Sequence, residues 1–242
     1  MKILAIGNSY SQDGTRYIHE IAAADGVDIL TKNLVIGGCS LERHHNNILS
    51  GENAYYLEIN GKMVAENVPL LETLLSEDWD IISIQQQSSS SMDFATFQPH
   101  LDAIVDYLRY HRPNAKLDLH QTWAYIDDAA FLADFGVKCA NEMFLKVKSS
   151  YEQAAKAANI DIIIPSGQAM ENLRLANASP IYRDPIHASL GLGRYTLSLV
   201  WYSLLTGKDI AENSFNAFDE PVSDENIAIA KKAASDAVKM YR

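Results

Sequence analysis

The chain has 242 residues, of which 48% are hydrophobic and 21% charged, a composition typical of a globular protein with one substantial core. Its formal net charge of -11 argues against nucleic acid and anionic membrane as partners, because both attract basic patches. Cys39 and Cys139 fit no metal-ligand spacing, which favours two free thiols. Since the sequence shows neither a signal peptide nor an apolar run of membrane-spanning length, it predicts a cytoplasmic protein.

The N-terminal stretch places a serine between a predicted strand and a predicted helix. Residues 2–6 (KILAI) are typical of a buried strand, Gly7-Asn8-Ser9 follows, and a helix is expected over 15–24. Ligands of open α/β sheets bind where parallel strands end, and unpaired N–H groups at a helix start can stabilise an anion. Taken alone, a serine at this junction is more often a helix cap, so Ser9 needs a base before it counts as a nucleophile.

The next segment predicts a second strand and a hairpin. Residues 27–36 end at Gly37-Gly38, where glycine allows close backbone approach, and a helix is expected over 41–49. Asn60-Gly61 between two alternating runs is a strong two-residue hairpin signal. We interpret residues 55–65 as an excursion from the main sheet that could close over a site.

Three further strands are predicted in the rest of the chain, at residues 80–84, 115–122 and 160–164. The first of them runs into Gln85-Gln86-Gln87, whose amides could donate hydrogen bonds to an anion. The second brings His120, Gln121 and Trp123 to the same edge. Trp123 and Tyr125 could either line a pocket there or cover the core. Helices are expected over 68–76, 94–112, most of 127–158 with a break near Gly136, 166–175 with Ser166 as its cap, 188–206 and 223–241.

A late loop carries the base that Ser9 needs. Asp184 lies three residues before His187 in the stretch SPIYRDPIHAS, residues 179–189. A carboxylate at this spacing can reach Nδ1 of the imidazole and leave Nε2 free to accept a proton. Because five strands alternate with helices and no linker interrupts them, we predict one domain, residues 1–242, with a doubly wound parallel sheet.

Gly7-Asn8-Ser9, Gly38 and Asp184-Pro185-Ile186-His187, in this order, resemble the sequence blocks of the SGNH hydrolases, also called the GDSL esterase/lipase superfamily. The resemblance is closest to a poorly characterised bacterial branch with GNS and QQ blocks. It implies a flavodoxin-like three-layer α/β/α sandwich with a five-stranded parallel sheet. It also implies Ser9 as nucleophile, His187 as base, Asp184 as its orienting partner, and an oxyanion hole formed by Ser9, Gly38 (or Gly37) and a glutamine.

Two positions depart from the family pattern. Asn8 stands where the family usually has aspartate, which removes a negative charge beside the nucleophile. The block that usually reads Gly-x-Asn-Asp is replaced by the three glutamines. Gln86 aligns best with the glutamine that some sugar acetylesterases of the superfamily carry there, with Gln85 and Gln87 as alternatives.

The resemblance implies a serine esterase that cleaves small carboxylic esters through an acyl-enzyme, with an acetylated sugar as the favoured substrate and no metal or organic cofactor. Tyr10, Trp123 and Arg183 are candidate substrate-binding residues. The main alternative is a binding module that kept the fold and lost the chemistry. Two weaker ones are a flavin or nucleotide binder, which lacks the Gly-x-Gly-x-x-Gly pattern, and a nucleophile within Ser88–Ser91, which lacks the Gly-x-Ser-x-Gly motif.

Overall fold

The computed structural model describes residues 1–242, apart from the side chain of residue 129. Across these residues the strands form one seven-stranded sheet in the order β4-β3-β2-β1-β5-β6-β7. The strands are β1 (Lys2–Gly7), β2 (Leu30–Val35), β3 (Tyr55–Ile59), β4 (Lys62–Val68), β5 (Ile81–Ile84), β6 (Lys116–His120) and β7 (Ile162–Ile164). Strands β2, β1, β5, β6 and β7 are parallel. Their carboxyl ends therefore meet at one edge of the sheet.

Helices cover both faces of this sheet. They are α1 (Ser9–Thr15), α2 (Ile18–Ala24), α3 (Leu41–Ser50), α4 (Leu70–Leu75), α5 (His100–His111), α6 (Ala129–Ala133), α7 (Ala140–Ala157), α8 (Ser166–Leu175), α9 (Leu192–Thr206) and α10 (Asp224–Met240). Helix α9 packs against α1, α2, α8 and α10, whereas α3 packs against α4 and α5. The predicted three-layer α/β/α sandwich is confirmed. None of the helices in the described part of the chain combines the length and apolar character needed to cross a membrane.

The apolar runs form strands because they are covered on both sides. All four residues of β5 are buried, as are five of the six residues of β1. Central parallel strands of this kind lack the alternation of polar and apolar residues that half-exposed strands show.

The hairpin at residues 55–65 is part of the sheet rather than an excursion from it. Strand β3 pairs antiparallel with β2, and β4 pairs with β3 and forms the outer edge. Asn60 and Gly61 turn the chain with φ values of +50° and +71°, as a two-residue hairpin requires. The hairpin therefore widens the predicted five-stranded parallel sheet to seven strands and does not act as a flap.

Several helix boundaries differ from the prediction. The helix expected over 15–24 is α2, which begins at Ile18, and a short helix that was not predicted, α1, precedes it from Ser9; Asn8 caps α1 by accepting a hydrogen bond from the Tyr10 N–H. The segment expected to be helical over 94–112 becomes α helix only from His100. The one over 127–158 is divided into α6 and α7, with Gly136 in the gap where a break is expected. Ser166 is the first residue of α8 rather than its cap, which is Pro165.

Candidate active site

A cavity of about 500 Å³ lies at the carboxyl edge of the parallel strands. Its walls come from the segments that follow β1, β2, β5 and β6 and from the loop before α9. Ser9, Gly38 and His187, which are far apart in sequence, all line it. The sheet topology thus brings together residues that the sequence placed at separate strand ends.

Ser9, His187 and Asp184 form a chain of hydrogen bonds at this cavity. Ser9 Oγ lies 2.8 Å from His187 Nε2, and His187 Nδ1 lies 2.7 Å from Asp184 Oδ2. Because the carboxylate accepts from Nδ1–H, Nε2 is the nitrogen left to accept the proton of Ser9. This is the arrangement that activates a serine hydroxyl in acyl transfer.

The carboxylate of Asp184 is held in its ionised form. Partial burial alone would raise its pKa, but hydrogen bonds from the backbone N–H groups of Ile186 and His187, at 2.9 and 2.8 Å, and from the imidazole lower it below its usual value. Asp184 therefore stays negatively charged at neutral pH and can stabilise an imidazolium at His187.

Two backbone N–H groups beside Ser9 are free to bind an anion. The N–H of Ser9 is in the first turn of α1, and neither it nor the N–H of Gly38 donates a hydrogen bond to any described residue. Gly38 has φ +63°, a left-handed conformation in which a side chain would be strained. Backbone donors with fixed positions are the usual components of an oxyanion hole.

Asn8 connects the loops that carry these donors. It is 2% exposed, and its Nδ2 donates to the Cys39 carbonyl oxygen at 3.0 Å. Its Oδ1 accepts from the Tyr10 N–H at 3.0 Å and from Gln85 Nε2 at 2.7 Å. The amide thus ties the Ser9 turn to the Gly38-Cys39 loop. A carboxylate could not make the bond to Cys39, which gives the departure from aspartate a structural reason.

The hydrogen bonds of Gln86 exclude it from the oxyanion hole for which it was the preferred glutamine. Gln86 is buried; its Nε2 donates to the carbonyl oxygen of Thr96 at 2.9 Å, and its Oε1 accepts from the Leu41 N–H at 3.0 Å. Gln85 is also buried, between Asn8 and His120. Gln87 is the glutamine that lines the cavity. Its Oε1 accepts from Ser90, and its NH₂ group donates to no described residue, so it remains available to an anion.

Of the three candidate substrate-binding residues, Tyr10 alone lines the cavity. Trp123 is fully buried behind it, stacked at 3.8 Å between ring centroids, and donates to the Ile186 carbonyl oxygen. Arg183 bonds both carboxylate oxygens of the buried Asp13 at 2.9 Å. The expectation that Trp123 and Arg183 form the pocket surface is therefore wrong. Arg183 instead ties the His187 loop to α1, which carries Ser9.

Two buried histidines belong to the interior rather than to the cavity. His44 lies against the Tyr55 hydroxyl, and His120 lies between Gln85 Oε1 and Ser166 Oγ at 3.0 and 2.9 Å. Burial lowers the pKa of each to about 3, so both are neutral at physiological pH. His120 and Gln85 thus support Asn8 from behind.

One wall of the cavity is aromatic; Tyr125 is a pocket candidate in the sequence, whereas Phe131 and Phe135 are not predicted there. Tyr125, Phe131 and Phe135, from the segment after β6, line it together with Ile186. The two phenylalanines lie four residues apart, a spacing that is typical of an ordinary amphipathic helix.

No cluster of three or more His, Cys, Asp or Glu side chains within the described part of the chain is arranged to hold a metal ion.

The chain is similar over almost its whole length to a known protein family and to a solved structure from that family. A family described as a domain of unknown function, DUF4886, matches residues 2–237. A DUF4886 family protein from Bacteroides uniformis is 33% identical, with a TM-score of 0.92 over 99% of this chain and 95% of that chain. No curated protein matches.

More distant structures share the fold. A proposed SGNH hydrolase from Slackia heliotrinireducens is 21% identical, covers 84% of this chain and 97% of its own, and has a TM-score of 0.59. The psychrotrophic esterase EstA from Pseudoalteromonas, in a structure inhibited by monoethylphosphonate, is 15% identical, with 85% and 94% covered and a TM-score of 0.51. At these identities the likeness concerns the fold, and the predicted SGNH hydrolase fold is confirmed.

Proposed function

The chain belongs to the DUF4886 family, whose description gives no function, and we propose that its cavity is the active site of a serine esterase that cleaves small carboxylic esters through an acyl-enzyme. The observation that carries the proposal is the hydrogen-bonded chain Ser9–His187–Asp184, at 2.8 and 2.7 Å, facing a cavity with free N–H donors. The shared fold with the esterase EstA supports it.

In this reaction Ser9 Oγ attacks the ester carbonyl while His187 Nε2 takes the hydroxyl proton. Asp184 stabilises the resulting imidazolium. The N–H groups of Ser9 and Gly38, with the amide of Gln87, hold the tetrahedral oxyanion, and removing one such donor costs about a hundredfold to a thousandfold in rate.

The intermediate collapses when His187 returns its proton to the leaving alcohol. Water then enters, His187 takes one of its protons, and the resulting hydroxide attacks the acyl group on Ser9. The carboxylic acid leaves and Ser9 regains its proton from His187. Each proton that His187 accepts is thus returned within the same half-reaction, and no metal or organic cofactor is required.

Within this class, an acetylated sugar is one candidate substrate and rests on the resemblance to sugar acetylesterases alone, whereas the aromatic side chains of Tyr125, Phe131 and Phe135 at the cavity favour a more apolar alcohol. Gln87, Ser88 and Ser89 give one part of the cavity polar groups that could bond sugar hydroxyls. The alternative, a binding module without activity, rests on the departures from the family pattern at Asn8 and Gln86. Both residues have hydrogen-bonding roles that are compatible with a working site.

The test is hydrolysis of p-nitrophenyl acetate by the wild type and by Ser9→Ala and His187→Ala. We expect both variants to lose at least about a thousandfold in kcat/KM, as removal of a nucleophile or its base typically does. Ser149→Ala, on the exposed surface of α7, is the matched control and keeps the wild-type rate. If Ser9→Ala hydrolyses the ester as fast as the wild type, the proposal is wrong.

A further inference from the structure

One wall of the cavity is a cluster of three aromatic rings, Tyr125, Phe131 and Phe135, which we call the aromatic wall. The ring centroids lie 4.9–5.8 Å apart with interplanar angles of 51–76°, so Tyr125 and Phe135 pack edge to face and the other two pairs are tilted. Tyr125 is buried and its hydroxyl bonds Ser88 at 2.9 Å. Phe131 and Phe135 are half-buried, with one side on the core and the other at the cavity.

The aromatic wall has no role in the proton transfers proposed for Ser9 and His187. Apolar surface left facing water is unfavourable, and aromatic rings in a concave site are typical binding surfaces for apolar ligand groups. Among the described residues that line the cavity there is no Lys, Arg, Asp or Glu. A substrate with a charged group beside the ester would find no partner there, so the composition of the walls favours a neutral substrate.

The hydrogen bonds of the His187 loop show which part of an ester faces the aromatic wall. The Ile126 N–H donates to the Pro185 carbonyl oxygen at 2.9 Å, and Trp123 Nε1 donates to the Ile186 carbonyl oxygen at 3.0 Å. The loop with His187 is therefore fastened to the segment that carries Tyr125.

Of the oxyanion donors, the Gly38 N–H is the one farthest along the sheet from the aromatic wall, whereas Gln87 follows β5, which lies between β1 and β6. Gly38 follows β2, and β2 and β5 flank β1 on opposite sides, with β6 beyond β5. In acyl transfer the carbonyl oxygen faces the oxyanion donors and the leaving oxygen faces the general acid. The group attached to the leaving oxygen thus extends on the side of His187 and the aromatic wall.

We infer that the substrate is an ester of a neutral alcohol that carries a flat apolar group, such as an aromatic ring, and that this group packs against the aromatic wall. The inference rests on the proposed esterase function and names the leaving alcohol, not the acyl group. An added ring-to-ring contact of this kind changes kcat/KM by about tenfold.

The experiment compares methyl acetate and benzyl acetate, followed by proton release at constant pH. The two esters share an acyl group and release alcohols of similar acidity, so their rates differ mainly through contacts of the alcohol. Methyl phenylacetate, which carries its ring on the acyl side, is the third substrate. The enzymes are the wild type, Phe131→Leu, Phe135→Leu and the control Phe94→Leu, because leucine keeps an apolar side chain and removes the ring.

We expect the wild type to prefer benzyl acetate over methyl acetate by about tenfold in kcat/KM. In Phe131→Leu and Phe135→Leu this ratio falls by about three- to tenfold. Phe94 is half-buried outside the cavity, and its variant keeps the wild-type ratio. Because the readout is a ratio of two substrates on one enzyme, a partly unfolded variant does not imitate the result.

Three outcomes overturn the inference. One is equal kcat/KM for methyl and benzyl acetate with the wild type; another is a ring preference that appears with methyl phenylacetate instead. The third is a faster reaction with an acetylated glucose than with benzyl acetate, which would assign the aromatic wall to a sugar. In each case a rate that disappears in Ser9→Ala leaves the esterase function standing. If the wild type hydrolyses none of these esters, both proposals are wrong.

Discussion

The substitution Asn8→Asp exchanges a buried amide for a carboxylate of nearly the same shape, the residue usual in the family that this sequence resembles. It removes the hydrogen bond from Nδ2 to the Cys39 carbonyl oxygen and places an oxygen at 3.0 Å from it. Leaving a buried acceptor unpaired costs about 1–3 kcal/mol. The hydrogen bonds from the Tyr10 N–H and Gln85 Nε2 persist and partly offset the burial of a charge. We expect Asn8→Asp to lower the free energy of unfolding by about 2–4 kcal/mol at pH 7.5.

The sign of the pH dependence separates this mechanism from a general loss of packing. Burial raises the pKa of the introduced carboxyl above its unfolded value of about 4. The folded form then binds its proton more tightly, so the penalty is smallest below pH 4 and grows as the pH rises. We also expect kcat/KM to fall by about tenfold at pH 7.5, because the loop with Gly38 loses its tie to Ser9.

Urea unfolding of the wild type, Asn8→Asp and Asn114→Asp, at pH 4.0 and pH 7.5, measures these differences. Asn114 is exposed, so its variant carries the same change of charge without burial and should differ from the wild type by less than about 0.5 kcal/mol. A penalty for Asn8→Asp that is equal at both pH values, or no larger than that of the control, would refute the role assigned to Asn8.

Three further predictions concern other parts of the chain. Gln87→Leu should lower kcat by about a hundredfold to a thousandfold with little change in unfolding free energy. Gln86→Leu should mainly lower the unfolding free energy because its amide bonds are internal, and the reverse pattern in kinetics and urea unfolding would return the oxyanion role to Gln86. Arg183→Met should lower the free energy of unfolding by about 1–3 kcal/mol. This is less than the cost of breaking an isolated buried ion pair, because Asp13 keeps its second partner, Arg194. An unchanged midpoint of urea unfolding would contradict this. Burial raises the pKa of Asp118 to about 8, above its unfolded value, so its contribution lowers stability as the pH rises from about 4 to about 8, by at most about 1.4 kcal/mol per pH unit. In Asp118→Asn this contribution is absent. The measurement is the free energy of unfolding in urea at several pH values between 4 and 8. If this free energy changes with pH in the same way in the variant and in the wild type, the role assigned to Asp118 is wrong.

The sheet could be predicted because its strands have a strong local signature. Strands β1, β5 and β7 are short apolar runs between turn residues, and the sequence predicts each of them within two residues of its observed bounds. The hairpin turn was equally clear from Asn60-Gly61, but its pairing with β2 was not. That pairing joins Lys32 to Ile59, and local sequence does not determine such a long-range contact.

Site residues could be predicted where a local sequence pattern fixes their position. They could not be predicted where the position of a side chain depends on a hydrogen-bond or packing partner far away in the sequence. Ser9 and His187 follow from a strand end and a local Asp-x-x-His spacing. The register of the glutamines depends on how the chain leaves β5, since a shift of one residue turns a side chain to the opposite face. Arg183 donates a hydrogen bond to Asp13, 170 residues earlier in the chain, and Trp123 stacks on Tyr10. Neither partner is visible in a local pattern.

The central claim is that Ser9 is a nucleophile activated by His187, and covalent labelling tests it most directly. The wild type, Ser9→Ala and His187→Ala are treated with an alkyl fluorophosphonate, digested and analysed by mass spectrometry. We expect one phosphonyl group on the peptide that contains Ser9, none on that peptide in Ser9→Ala, and labelling at least about a hundredfold slower in His187→Ala. A wild type that remains unlabelled, or a label on the serines of residues 88–91, would contradict the account.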